Sequence, residues 1–259
     1  FGGLTDGQYP STKEELMKQY LDFFGLLPPP IPPDPYLNLK VYLEGPWNGT
    51  EMLRFLNTYG YMPLTQPYSA APWNYYGTES VASIPNIDIV DWVLIELRDA
   101  PGDASTATAS TMVDRMAGFV LRDGTIACID GITPIQVTTS IANNLYVVVW
   151  HRNHMGIMSD MPVVMNNGNY YYDFSTAASK VCGGVLCYKE IGPGVWGMVS
   201  GEGIPDGQIN SVDKIDAWSP QSGSSGYQSG DFNMNGNVDN TDKIDFWSPN
   251  AGMGHQIPQ

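Results

Sequence analysis

The feature that most constrains this chain is an internal repeat near its end. Asp213-Lys-Ile-Asp-Ala-Trp-Ser-Pro220 returns as Asp242-Lys-Ile-Asp-Phe-Trp-Ser-Pro249, displaced by 29 residues. The preceding loops align too, Asp206-Gly-Gln-Ile-Asn210 over Asn235-Gly-Asn-Val-Asp239. The duplication predicts one supersecondary unit used twice, an acid- and Asn-rich loop followed by a short helix. Ile215 and Trp218, like Ile244 and Trp247, fall on one helical face, and Pro220 and Pro249 are expected to end the helices. The Gly/Ser-rich stretch 222–230 links the units.

The second loop carries the clearest chemistry. Asp231, Asn233, Asn235, Asp239 and Asp242 place side-chain oxygens at positions 1, 3, 5, 9 and 12 of a twelve-residue stretch. Asn237 offers a backbone carbonyl, and Gly236 stands at position 6, where such a loop turns sharply. Calcium takes six to eight hard oxygen ligands in flexible geometry, so this spacing predicts an EF-hand-like calcium loop. Position 12 is Asp242 rather than the bidentate Glu of a standard EF-hand. The first loop is degraded. Glu202, Asp206, Asn210, Asp213 and the Gln208 carbonyl remain as a weaker calcium set, but Ile204 at position 3 cannot ligate.

Composition narrows the partners. The formal net charge of −15 leaves no basic patch for phosphates, which argues against nucleic acid and against an anionic membrane surface. No apolar run reaches the roughly 18 residues of a membrane span. The hydrophobic content of 42% suffices for a sizeable core. Cys182 and Cys187 flank Gly-Gly-Val-Leu and could close a small disulfide loop or remain buried thiols, whereas Cys128 alternates with apolar neighbours as a core thiol. The chain opens at Phe1 without a signal peptide, which fits a processed or excised piece of something larger.

Three regions are expected. Residues 1–36 comprise a Gly-rich tail, a helix and a linker. Ser11-Thr-Lys-Glu14 reads as a capping box, Leu16, Met17, Tyr20, Leu21, Phe23 and Phe24 form an apolar stripe, and Leu27 to Pro35 is a polyproline II spacer. Residues 37–199 read as a β-sandwich. Its strand signals are Leu39–Glu44, Ile89–Leu97, a hairpin over 115–129 turning at Asp123-Gly124, strands at 134–140 and 145–151, and a second hairpin turning at Asn166-Asn-Gly168. Thr50–Leu56 is ambiguous between helix and strand, and 62–79 is a long loop. Residues 200–259 hold the repeat pair.

Other constellations compete with the calcium loops. The aromatic residues Trp47, Tyr68, Trp73, Tyr75 and Tyr76 would suit glycan contact if their rings were exposed together on one face. His151 and His154 invite a metal or acid–base reading, and Glu44, Asp91, Glu96 and Asp99 could supply a hydrolase carboxylate pair, although no spacing selects one. No GxSxG, HExxH or P-loop is present.

The residues also carry a resemblance. The loop–helix duplication resembles a dockerin-type calcium-binding pair. Leu43-Glu-Gly-Pro-Trp-Asn-Gly49, Pro67-Tyr-Ser-Ala-Ala-Pro-Trp-Asn74, Ile84-Pro-Asn86, Val90–Asp99, Trp150-His-Arg-Asn-His-Met-Gly-Ile-Met158 and Gly230-Asp-Phe-Asn-Met-Asn-Gly236 resemble a module at the C-termini of very large secreted proteins of Bacteroidota. Such proteins carry PKD- or immunoglobulin-like repeats and leave the cell by the type IX secretion system. The resemblance spans residue 39 to the end, and Gly254-His-Gln-Ile-Pro-Gln259 looks like that family's natural C-terminus. It implies an extracellular or outer-surface location and a non-catalytic terminal module acting in export, attachment or assembly. The partner would be a surface or secretion-apparatus protein, or another domain of the parent. The alternatives are an adhesin that binds polysaccharide and, less favoured, a hydrolase.

Overall fold

The computed structural model describes residues 12–24 and 34–259. They belong to two separate units, one up to Asp34 and one over Pro35–Gln259. In the first, α1 (Thr12–Phe23) leaves Leu16, Met17, Tyr20, Phe23 and Phe24 exposed. Ser11 and the side chain of Glu14, on which the capping box depends, and the linker over 25–33 lie outside the described residues.

The second unit is mainly β, with its sheets packed in a sandwich-like arrangement. Its strands are β1 (Tyr36–Lys40), β2 (Ile89–Ala100), β3 (Met112–Leu121), β4 (Ile126–Ala127), β5 (Ile135–Gln136), β6 (Asn144–Trp150), β7 (Ile157–Met158), β8 (Val164–Asn166), β9 (Asn169–Asp173), β10 (Tyr188–Gly192) and β11 (Val195–Met198). One sheet runs β4-β3-β2-β6-β7 with every pair antiparallel. A second runs β5-β1-β9-β8, with β1 and β9 parallel, and β10 pairs with β11 alone. The nearly continuous apolar run predicted for β2 reflects burial on both faces. On one face Trp92 packs on Phe119 with ring centroids 4.1 Å apart, inside the main core. A smaller cluster joins Ala100, Ala104, Ala107, Tyr146, Val148, Met158 and Ile257.

Both hairpins expected from turn chemistry are present. Asn167 and Gly168 take φ of 48° and 79° between β8 and β9, the left-handed pair that a two-residue hairpin loop requires. Gly124 supplies φ of 86° in the β3–β4 turn. The ambiguous stretch Thr50–Leu56 is mostly irregular: Met52 forms an isolated bridge with Trp47, and only Phe55 and Leu56 enter a helical turn, Phe55–Thr58. No helix among the described residues is long and apolar enough to cross a membrane.

The repeated segments take matching conformations. Asp213–Trp218 and Asp242–Trp247 are π-helical and run on into short α-helical turns, Ser219–Gln221 and Ser248–Asn250. The prolines therefore do not end the helices, as the sequence suggested. Pro lacks the N–H that would bond four residues back, and the wider π turn ahead of it accommodates the lost bond. The expected apolar face also divides: Ile215 and Ile244 point outward, 57% and 58% exposed, while each tryptophan reaches across to the other repeat.

Candidate functional site

The two loop–helix repeats interlock by exchange. The indole of Trp218 donates to the Asp239 carbonyl at 2.7 Å, and its counterpart Trp247 donates to the Asn210 carbonyl at 2.8 Å. Lys243 lies over the Trp218 ring and Lys214 over the Trp247 ring, at 4.3 and 5.0 Å. The main chain repeats the exchange: Val238 of the second loop pairs with Gly223 and Ser224 after the first helix, and Ile209 of the first loop pairs with Gly252 and Met253 after the second. Equivalent residues on both sides of each contact mark a local two-fold relation.

Within the second loop each of the five predicted side-chain ligands accepts from main-chain N–H groups. Asp231 accepts from Asn235 at 3.0 Å and Gly236 at 2.8 Å, and Asp242 accepts from Asn233 at 3.0 Å and Asp239 at 2.8 Å. Asn233 Oδ1 accepts from Asn235 N, Asn235 Oδ1 from Asn237 N and Asp239 Oδ1 from Thr241 N. Asn237 instead uses its side chain to bind the Ser225 hydroxyl at 2.8 Å. The first loop copies the scheme. Asp213 accepts from Ile204 at 3.0 Å and Asn210 at 2.8 Å, Glu202 accepts from Gly207, and Asp206 from Gln208.

Asp231, Asp242, Glu202 and Asp213 are all buried, and none is in an ion pair among the described residues. Burial pushes Asp231 up to about 7, Asp242 to about 6, Glu202 to about 8 and Asp213 to about 6. Buried carboxylates that converge without a bonded cationic side chain form a donor set suited to a hard cation. No group of three or more His, Cys, Asp or Glu among the described residues meets the spacing of a metal cluster. In the second loop, amide oxygens of Asn233 and Asn235 occupy two of the predicted ligand positions, so few acids are needed there.

A buried polar seam joins this loop to the β2–β6 sheet. Asp91 of β2 binds Arg152 Nε at 2.9 Å, His151 Nε2 at 3.2 Å and the Tyr227 hydroxyl at 2.7 Å. Burial alone would raise Asp91, but Arg152, His151 and Tyr227 outweigh it and hold the carboxyl below its ordinary value. Arg152 also stacks on Tyr227 at 4.1 Å and donates to the Gln228 carbonyl. Asn153 donates to the Asp231 carbonyl at 2.7 Å, and Ser200 Oγ to the Phe232 carbonyl at 2.6 Å. Gly45 N donates to His154 Nε2 at 3.0 Å, so neutral His154 carries its proton on Nδ1, facing Asn153 Oδ1 at 2.9 Å. A Cβ at Gly45 would meet the Phe232 carbonyl at 2.1 Å, so only glycine permits this approach. The sequence singled out His151 and His154 but not Arg152, Asn153 or Tyr227, which have no local spacing to mark them.

The remaining candidates scatter. Glu44 binds Lys189 and Asn250, Glu96 binds Arg98, and Asp99 accepts from Ala142 and Asn143. Tyr68 is fully buried with its hydroxyl on the Trp92 carbonyl, Tyr75 is buried against Glu79, and Trp47 packs on Tyr42. Tyr76 is 87% exposed and Trp73 half-buried, so the five rings do not share one exposed face. Cys182 and Cys187 are free thiols, not the disulfide that their spacing allowed: Cys182 donates to the Gln256 carbonyl and Cys187 to that of Cys182.

Comparison with protein families, with curated proteins and with solved structures returns no match.

Proposed function

We infer that the chain contributes a non-catalytic, calcium-stabilised module to a secreted or cell-surface protein, acting in export, attachment or assembly. The observation that carries this reading is the burial of Asp231 and Asp242 at the two ends of one loop, without a side-chain cation bonded to either. Asp231, Asn233, Asn235, Asp239 and Asp242, with the Asn237 carbonyl, would hold the calcium ion, and the acids of the first loop form a weaker second site. The reciprocal tryptophans and crossed pairings support a dockerin-like duplicated pair.

Calcium in this setting is structural. It would neutralise carboxylates that burial otherwise disfavours, and binding only the folded loop it would stabilise the fold by mass action. The seam through Asn153 and Arg152 would extend that stabilisation to the β-sheet. Melting the protein with calcium and with a chelator tests the reading, and equal melting temperatures would overturn it. The acidic charge and the resemblance to terminal modules of exported Bacteroidota proteins support an extracellular site and a protein partner at the surface.

A further inference from the structure

A cleft of about 640 Å³ opens beside the first repeat loop. Glu96 and Arg98 of β2 and Trp150 of β6 line it together with Trp73 and Arg115. The loop 205–208, His255 and Gln259 also line it. Its volume falls within the roughly 300–1,000 Å³ of small-molecule sites.

The interior is built rather than incidental. Arg98 is 2% exposed. Its Nε donates to Glu96 at 2.7 Å, and its Nη1 to the carbonyls of Ala107 and Pro258 at 2.6 and 2.7 Å. Nη2 is left without a hydrogen-bond partner among the described residues, on a side chain that lines the cleft. A guanidinium donor that reaches the cleft can take an acceptor from a ligand. Beside it Glu96 Oε2 accepts from the Trp150 indole at 3.3 Å. Trp150 is set in place by His255 at its edge and by Gly156, where a Cβ would meet the ring at 2.4 Å. Trp73 is fixed by Arg115, which donates to its carbonyl at 2.6 Å, and by an edge-on contact with Tyr68.

The lining selects the ligand chemistry. Two guanidinium groups, Arg98 and Arg115, face three carboxyl groups, Glu96, Glu202 and Asp206, so neither a strong anion nor a strong cation is favoured. The lining supplies both donors and acceptors beside two indoles. Hydroxyl groups both donate and accept, and C–H faces of a sugar ring pack on indole, so a polyhydroxylated neutral ligand matches every part of this surface. We propose that the cleft bounded by Trp73, Trp150 and Arg98 binds a short segment of a neutral polysaccharide. This site is distinct from the aromatic set that the sequence suggested, sharing only Trp73; it borders the weaker calcium loop through Glu202, Asp206 and Gln208, but Trp73, Trp150 and Arg98 are not among the calcium ligands.

Calorimetric titration of the full chain with neutral hexasaccharides of xylan, mannan, β-glucan and galactan tests the proposal, with pyrophosphate and spermidine as charged probes. At least one hexasaccharide is expected to bind saturably and to shift the indole N–H resonances of Trp73 and Trp150 in the unmutated protein. Trp73→Ala should weaken binding by roughly tenfold or more, as truncation of an aromatic anchor does, and Tyr76→Ala should leave it unchanged. Absence of saturable binding by all four sugars, shifts confined to other tryptophans, or preferential binding of either charged probe would each overturn it. Repeating the titration and the melts with calcium and with chelator separates the two readings. Sugar binding beside unchanged melting removes calcium alone, and a calcium-dependent melt without sugar binding removes the cleft alone.

Discussion

The side-chain amide of Asn153, just past the end of β6, donates to the main-chain carbonyl of Asp231 at 2.7 Å. The first residue of the acid loop is thereby gripped from the sheet. Asn153 is fully buried, and its Oδ1 faces the His154 Nδ1 proton. Asn153→Leu keeps the branched shape but orphans the Asp231 carbonyl, at a cost of about 1–3 kcal/mol, while the His154 Nδ1 proton retains His151 Nδ1 at 3.1 Å. The expected result is a lower urea midpoint with an unchanged slope, accompanied by weaker calcium binding.

Calcium at about one hundred times its dissociation constant should add about 2.7 kcal/mol of stability, a rise in melting temperature that a chelator removes. Asp231→Ala and Asp242→Ala should abolish the rise. Glu202→Gln should leave most of it, because Ile204 already deprives the first loop of a ligand. Differential scanning calorimetry of the three variants with calcium and with chelator measures this ordering.

The exchange between Trp218 and Trp247 makes a symmetrical prediction. Each indole N–H meets a main-chain carbonyl of the opposite loop, so Trp218→Phe and Trp247→Phe should each cost about 1 kcal/mol. Both bonds clamp the same pair of units, so the double variant should depart from additivity. A double-mutant cycle from denaturant unfolding reads the coupling directly.

The buried histidines and Asp91 should each destabilise the fold as pH falls, in two separate ranges. Burial lowers the pKa of His151 and, much further, of His154, where His151 and Arg152 add to the effect. Below about pH 6.5 the unfolded chain takes up protons that the folded histidines refuse, so stability falls with pH by up to about 1.4 kcal/mol per unit for each. Asp91 is also depressed, so its contribution is present above the ordinary carboxylate value and is lost as pH falls through its lower folded value. Asp231, Asp242, Glu202 and Asp213, raised in the folded chain, take up protons in the same window with the opposite sign, so the histidine stage is read as the difference between the slopes of the parent protein and His154→Gln from pH 7 to 5 with chelator present. An unchanged slope in that variant would refute the assignment.

Local patterns carried the parts of the fold that are local. The Asp123-Gly124 and Asn167-Gly168 turns, the apolar run of β2 and the 29-residue repeat each write their geometry into neighbouring residues. The parallel pairing of β1 with β9 joins Leu37 to Tyr170, and no short-range pattern encodes it. Asp91, Arg152 and Tyr227 likewise meet from three distant segments. The glycan reading of Tyr68 and Tyr75 failed for a related reason: aromatic side chains serve a core and a binding face equally well, and their exposure is set by partners far along the chain. Arg98 passed unnoticed because a lone arginine in a strand reveals nothing of the hydrogen bonds it will lack.

The approach of Gly45 to the Phe232 carbonyl has a mechanical consequence. At that point the sheet body and the acid loop touch backbone to backbone, with no side chain between them to yield. Beside it, Asn153 and Ser200 tie consecutive carbonyls of the loop to the body. A pull on the repeat pair would therefore load these bonds and the β2–β6 ladder together. The joint behaves as a rivet rather than a hinge, and tension arriving from a tethered neighbour would reach the centre of the sheet without first being taken up as slack.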